Sequence, residues 1–311
     1  MSSYILRRLF LAIPVLLGVS ILVFSIVRLV PGEPARAMAG PNATPQFIAQ
    51  IAEELHLNEP LHVQYGIYMR NLLQGDLGRS TYFRRPVATV LGEKFPNTLR
   101  LTITAMFVAT VLGMSAGIVS ATKRGSILDN ASMLGSLIGV AAPVFWLGIM
   151  FQIFFSVRLG WFPSGGMEGW QSYVLPSLTL GMASAALISR ITRSSMLEVL
   201  RSEFIVTARA KGLTERVVIF KHALKSAFIP VVTVMGLQFG TLLGGAVLTE
   251  IVFSWDGIGR LMVDAIQNRD YPLVQGAVLL LAVMFVLINI SVDIVYAWLD
   301  PRISYSSREG E

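Results

Sequence analysis

Long uncharged apolar stretches alternate along this chain with short polar ones. Six stretches contain no Asp, Glu, Lys or Arg: Leu9–Val27, Leu101–Thr122, Ala131–Val157, Gly169–Ser189, Ser226–Thr249 and Tyr271–Val292, each 19 to 27 residues long. Roughly 20 apolar residues let an α-helix cross a bilayer core. A charge at mid-span costs about 2.5–3.5 kcal/mol on insertion scales, so runs of this kind mark spans. The pattern predicts an all-α integral membrane protein with six transmembrane helices. The first run exceeds the apolar core of about 7–15 residues usual in a cleaved signal peptide, and no small-x-small site follows it. We read it as a retained first span.

Between the first and second runs the pattern becomes helical and amphipathic. Thr44-Pro45 forms a cap followed by Pro at a first helical position, and Phe47, Ile48, Ile51 and Leu55 then repeat at helical spacing. A second helix is expected from about Pro60, with Leu61, Tyr65, Tyr68 and Leu72 on one face and Gly75 as its stop. The expected organisation is therefore residues 1–30 as N-terminus and first span, 31–98 as a small helical cap, 99–304 as a five-helix core that includes the loop 190–225, and 305–311 as a tail.

Composition sharpens this picture. The 311 residues are 54% hydrophobic and 14% charged, against about 25% charged in soluble domains. There is no cysteine, which excludes disulfides and thiolate metal sites. In so apolar a chain the net charge of +6 fits loops facing an anionic leaflet rather than nucleic acid. The loop 190–225 carries Arg190, Arg193, Arg201, Arg209, Lys211, Arg216, Lys221 and Lys225. Arg7 and Arg8, Lys123 and Arg124, and Arg302 and Arg308 fall on the same side, whereas the two short loops opposite hold only Arg158, Arg260 and Arg269. Lys and Arg favour the inside, so both termini are expected in the cytoplasm and the 31–98 cap outside.

Small residues four apart put grooves on helix faces: Gly113 and Gly117, Gly135 and Gly139, and Gly236, Gly240 and Gly244. Such grooves serve contacts within one subunit or with a second one. Pro14, Pro143, Pro176 and Pro230 predict kinks or helix starts. Gln152, Gln238 and Asn289 lie inside spans, where neutral amides either line a polar pathway or bond neighbouring helices. No span carries a mid-membrane charge, which argues against a proton- or sodium-coupled carrier.

Catalytic signals are weak. Gly113-Met114-Ser115-Ala116-Gly117 matches G-x-S-x-G, but it sits inside an uncharged run and no histidine lies in any span. No H-E-x-x-H or Gly-Lys dipeptide occurs, so this chain cannot cradle ATP in the Walker manner and is not expected to be an enzyme.

The segment 207–230, "TARAKGLTERVVIFKHALKSAFIP", carries the densest positive charge. A short helix Ile205–Lys211 is expected to close at Gly212 in the left-handed conformation. A second helix would then align Leu213, Val217, Phe220, Leu224 and Ala227 on one face, with Pro230 in the first turns of the fifth span. A helix–Gly–helix corner in so long a connection suits a docking element for a cytoplasmic partner.

This segment resembles the docking motif of ABC importer permeases, with Ala208 and Gly212 in the A-x-x-x-G positions. Val206 stands where the motif has Glu, and Leu224-Lys225 where it has Leu-Pro. Both departures resemble the B-type permeases of dipeptide, oligopeptide, glutathione and nickel importers. So do "RLVPGEP" at 28–34, "GDLGRS" at 75–80, "PVFWLG" at 143–148, "VRLGWFPSGG" at 157–166, "FSWDGIGRLMVDAI" at 253–266 and "LDPRI" at 299–303.

The resemblance implies a permease subunit of an ATP-driven importer in the bacterial or archaeal inner membrane. It implies a heterodimer with a paralogous permease, and two ATPase subunits that bind ATP and Mg2+, with no cofactor in this chain. An outside solute-binding protein would touch the cap and the 253–271 loop. Thr207, Ala208, Arg209, Ala210, Lys211, Gly212 and Leu213 would couple the ATPases to the spans. The short loop 158–172 is more like the glutathione-type members. The competing expectations are an ion-coupled secondary carrier and a nickel permease.

Overall fold

The computed structural model describes residues 2–29, 34–39, 43–54 and 56–299. Leu55, Arg302, Arg308 and the tail 305–311 lie outside the described residues. Among the described residues the chain is helical with a single isolated bridge, Arg79 to Pro86, and no extended strand. In order the helices are α1 (Ser2–Leu29), α2 (Pro34–Ala39), α3 (Pro45–Glu54), α4 (Leu61–Leu73), α5 (Val87–Thr122), α6 (Ile127–Ala141), α7 (Val144–Phe151), α8 (Gln171–Val199), α9 (Glu203–Ala210), α10 (Glu215–Val217), α11 (Leu224–Val252), α12 (Ile258–Gln267) and α13 (Tyr271–Leu299). Two π-helical turns extend them: Gln152–Arg158 after α7 and Val218–Ala223 between α10 and α11.

Among the described residues five helices are long and apolar enough to cross a membrane, and a sixth span exists if α6 and α7 count as one. The expected continuous span Ala131–Val157 is broken there. The two halves bend by 109°. The cause is local: proline disfavours the helical conformation in the residue before it. Ala142 is accordingly extended (φ −75°, ψ 131°), and Pro143 starts the second half instead of kinking the first.

The chain forms two compact units. Of the described residues, the first comprises 2–5, 98–255 and 287–299. Its core is built from α5, α8 and α11, with Leu101, Ala105, Ala109, Leu180, Ile188, Val231, Leu242 and Trp255 buried. Glycine sets the α5–α8 distance. A Cβ at Gly113 would lie 2.6 Å from the Ala185 carbonyl oxygen, and one at Gly117 2.6 Å from that of Ser189. These small residues therefore serve contact within the chain, as small-residue faces do in bilayers. Gly236 likewise packs on Val292 of α13, whereas Gly135 and Gly244 face open space.

The second unit comprises the described residues among 6–97 together with 256–286. Val87, Val90 and Leu91 at the start of α5 pack with Ile258, Leu261 and Ala265 of α12 and Leu273 and Ala277 of α13. The expected helix boundaries recur here: the Thr44 hydroxyl accepts from Phe47 N–H, Pro60 precedes α4, and Gly75 is left-handed at φ 79°. Phe24 of α1 meets Tyr65 edge-on at 5.2 Å. Asp270 is fully buried and accepts from the Ser80 hydroxyl and from the Thr81, Tyr82 and Leu273 backbone N–H groups, which fixes the turn 79–86.

Candidate functional site

The 203–223 segment belongs to the first unit. α9 begins after Ser202, two residues before the expected start, and ends at Ala210. Gly212 then adopts φ 77°. Its N–H donates to the Arg209 carbonyl (2.9 Å), and that of Leu213 donates to the Ala208 carbonyl (3.4 Å). This is the paired bonding of a Schellman stop, which satisfies the last carbonyls of α9 and favours glycine. No atom lies within 4 Å of a Cβ built on Gly212, so only the backbone conformation requires glycine there.

Arg209 crosses the corner. Its guanidinium donates to both Glu215 carboxylate oxygens, at 3.1 and 2.6 Å, and ties α9 to the first turn of α10. The hydrogen bond to Glu215 raises the Arg209 pKa above its ordinary value. The free charge at the corner thus comes from Lys211, Arg216 and Lys221, all exposed. Thr207 and Ala210 are also exposed, and the Thr207 hydroxyl donates to the Glu203 carbonyl.

The expected single apolar face of the second helix is divided. Ile205, Ala208, Val218, Ala223 and Ala227 are buried, against Ala121 of α5 and Met196 of α8. Leu213, Val217 and Phe220 of the expected face are exposed, as are Phe204 and Val206. The π turn explains the change. The Leu224 N–H donates to the Ile219 carbonyl, five residues back, so the turn holds one residue more than an α turn. That extra residue rotates the Leu213–Val217–Phe220 stripe out of line with Ala227. The result is a corner anchored on α5 and α8 that presents an apolar, basic-rimmed strip to its surroundings.

Beside the corner lies a polar knot that sequence reasoning missed. Asp129, in the first turn of α6, accepts from Arg193 Nε (2.9 Å) and Nη2 (3.0 Å), from the Gly125 N–H (2.9 Å) and from the Ser120 hydroxyl. Asp129 is 3% exposed. Arg193, expected in a loop, lies on α8, so one ion pair joins the ends of α5, α6 and α8. Ser126-x-x-Asp129 resembles a capping box and was the available local signal. The partner in α8, 64 residues away, left none. Another buried carboxylate, Glu250 of α11, accepts from the Thr98 hydroxyl at 2.6 Å.

Of the amides expected in spans, Gln152 and Gln238 are hydrogen-bonded within the chain. Gln152 donates from Nε2 to the Ser164 (2.6 Å) and Val252 (2.9 Å) carbonyls. Gln238 accepts from the Ser184 hydroxyl, and Asn289 lies half-buried on α13. Ser115 is exposed on α5 while its flanking glycines pack against α8.

Two family models match this chain. "Binding-protein-dependent transport system inner membrane component" covers residues 109–305, and its N-terminal companion covers residues 1–102. The dipeptide transport system permease protein DppB of Alkalihalophilus pseudofirmus is 48% identical, covering 98% of this chain and all of that protein. The glutathione transport system permease protein GsiC of Salmonella choleraesuis is 49% identical, with the same coverage. Among solved structures, the inward-facing MetNI methionine ABC transporter matches with a TM-score of 0.55 at 22% identity, over 68% of this chain and 96% of the matched one. That likeness concerns the fold.

Proposed function

The chain belongs to the family of binding-protein-dependent transport system inner membrane components, the permease subunits of ABC importers, and from that premise we propose that its Thr207–Leu213 corner docks a separate ATPase and couples it to the spans. The carrying observation is the corner itself. It pairs a left-handed Gly212 and a buried inner face with an exposed outer strip of Phe204, Val206, Leu213, Val217 and Phe220. Apolar side chains at a basic, polar end of a membrane helix bundle are poorly placed for either lipid or water. They suit the groove of a protein partner.

In this reading ATP and Mg2+ belong to two ATPase subunits, and this chain supplies no catalytic group. A paralogous permease completes the pathway. Both termini face the cytoplasm, and the Asp270-pinned turn 79–86 and helices α2–α4 lie outside, where a solute-binding protein delivers cargo. Gln152, Gln238 and Asn289 are the candidate polar groups along the pathway.

The cargo is a dipeptide, glutathione or a related small peptide. The alignment with the dipeptide permease runs over 333 positions and that with the glutathione permease over 305, for equal shares of this chain. The dipeptide permease therefore carries residues that this chain lacks, which favours the glutathione class.

Vesicles containing this chain, its sister permease and both ATPases test the proposal. Uptake of labelled glutathione should require ATP and the binding protein. Uptake driven by an ion gradient through this chain alone would refute it.

A further inference from the structure

The segment between the Gly212 corner and α11 holds two incompatible apolar faces. In an α-helix, Leu213, Val217, Phe220, Leu224 and Ala227 form one stripe at spacings of 4, 3, 4 and 3. In the structure the buried positions are instead Val218, Ala223 and Ala227, with Val218 and Ala223 fully covered. Five residues apart, these two would point about 140° away from each other in an α-helix. Only the π turn, closed by the Leu224 N–H on the Ile219 carbonyl, lets both face inward. The larger side chain is the one left outside: Phe220 is 56% exposed.

Both ends of this segment are fixed. α9 is seated on Met196 and Ala121 through Ile205 and Ala208, beside the Arg193–Asp129 knot. α11 is seated on α8 through Val231, Leu242 and Ala246 in the main core. What lies between them is α10, the π turn and the left-handed Gly212.

We propose that residues 213–223 are a two-register element: the π register seen here exposes the Leu213–Val217–Phe220 stripe to a docked ATPase, and an α register turns Phe220 inward and Val218 outward. Loss of the extra residue from the turn rotates α10 by about 100° against α11. Burial of Phe220 against the chain favours the α register, and contact of the stripe with a partner favours the π register. A partner that grips the stripe in only one nucleotide state would then drive the rotation by its differential affinity. Single π turns inside α-helices recur at functional sites. The inference rests on the ATPase-docking reading above.

The chain has no native cysteine, so engineered pairs report cleanly. Ala121→Cys is combined with Val218→Cys or with Phe220→Cys in the assembled importer. Oxidative cross-linking is measured without nucleotide and with the ATPases trapped by ATP and vanadate. The 121–218 pair should dominate in one state and the 121–220 pair in the other, with the ratio changing about tenfold. Equal 121–218 cross-linking in both states, with no 121–220 product, overturns the proposal. Deletion of Lys221 should fix the α register, giving the 121–220 product in both states with ATPases bound and transport lost. Retention of the 121–218 product in that deletion also overturns it. Failure of ATPases to co-purify with the unaltered chain would instead overturn the docking reading, and this inference with it.

Discussion

The α5–α8 seam and the α9–α10 corner sit in the same unit and use their small and apolar residues in opposite ways. In the seam, Gly113, Gly117 and Gly181 bring backbones so close that an added Cβ would lie 2.6 Å from a carbonyl oxygen. Its polar end is tied off by Ser120, Asp129 and Arg193. At the corner, small residues face inward, and Phe204, Val206 and Phe220 face outward. The seam is complete without a partner. The corner leaves apolar surface exposed. The seam therefore bears on folding and, in the function proposed above, the corner on coupling, and substitutions in the two should be separable in kind as well as in size.

The largest effect is expected in the seam. Gly117→Leu must displace the Ser189 carbonyl and the Thr192 side chain. It should cost about 3 kcal/mol or more and sharply reduce the membrane yield of folded chain. Gly135→Ala, facing open space inside α6, should leave thermal unfolding in detergent unimpaired, with Tm level or slightly raised because Ala is the better helix former. Next comes the knot. Asp129→Ala strands a partly buried Arg193 and should cost about 3 kcal/mol, read as a lowered Tm.

Substitutions at the corner should spare folding and strike coupling. Gly212→Val forces a β-branched residue to φ 77°, a local cost of about 1–2 kcal/mol. Transport per ATP hydrolysed should fall while the chain still inserts, and Gly212→Asn should be the mildest replacement. Phe220→Ala should change stability by less than about 0.5 kcal/mol, since the side chain is exposed. It should nevertheless weaken ATPase co-purification. The smallest effect belongs to Lys211→Glu: weaker ATPase association at low salt, restored toward normal at high salt as screening removes the charge term. If Phe220→Ala unfolded the chain, or Gly117→Leu altered only coupling, the contrast between the two regions would be wrong.

Much of this arrangement was legible in the residues. Uncharged runs located the spans because a bilayer selects against charge. Pro60, Gly75 and Gly212 marked helix ends because their backbone preferences act locally. The break at Ala142–Pro143 was only half legible: a proline in a long apolar run permits a kink or a fresh start, and hydrophobicity is blind to direction. The π turn was misread for a specific reason. An α spacing puts Phe220 in line with Ala227, and the one extra residue in the turn breaks that alignment. The Asp129–Arg193 pair was missed because its specificity is spatial, joining residues with no sequence relation. Gln152 illustrates the same limit, since nothing in the sequence around a span amide names its partners, here the Ser164 and Val252 carbonyls.

The central claim is that the outer strip of the corner is covered by an ATPase. A photo-cross-linking phenylalanine analogue placed at position 220, irradiated in native membranes containing the full importer, tests it most directly. The account predicts a covalent adduct with a nucleotide-hydrolysing subunit, and none from the buried position 218 of the nucleotide-free complex. Adducts confined to lipid, or to the sister permease, would contradict it.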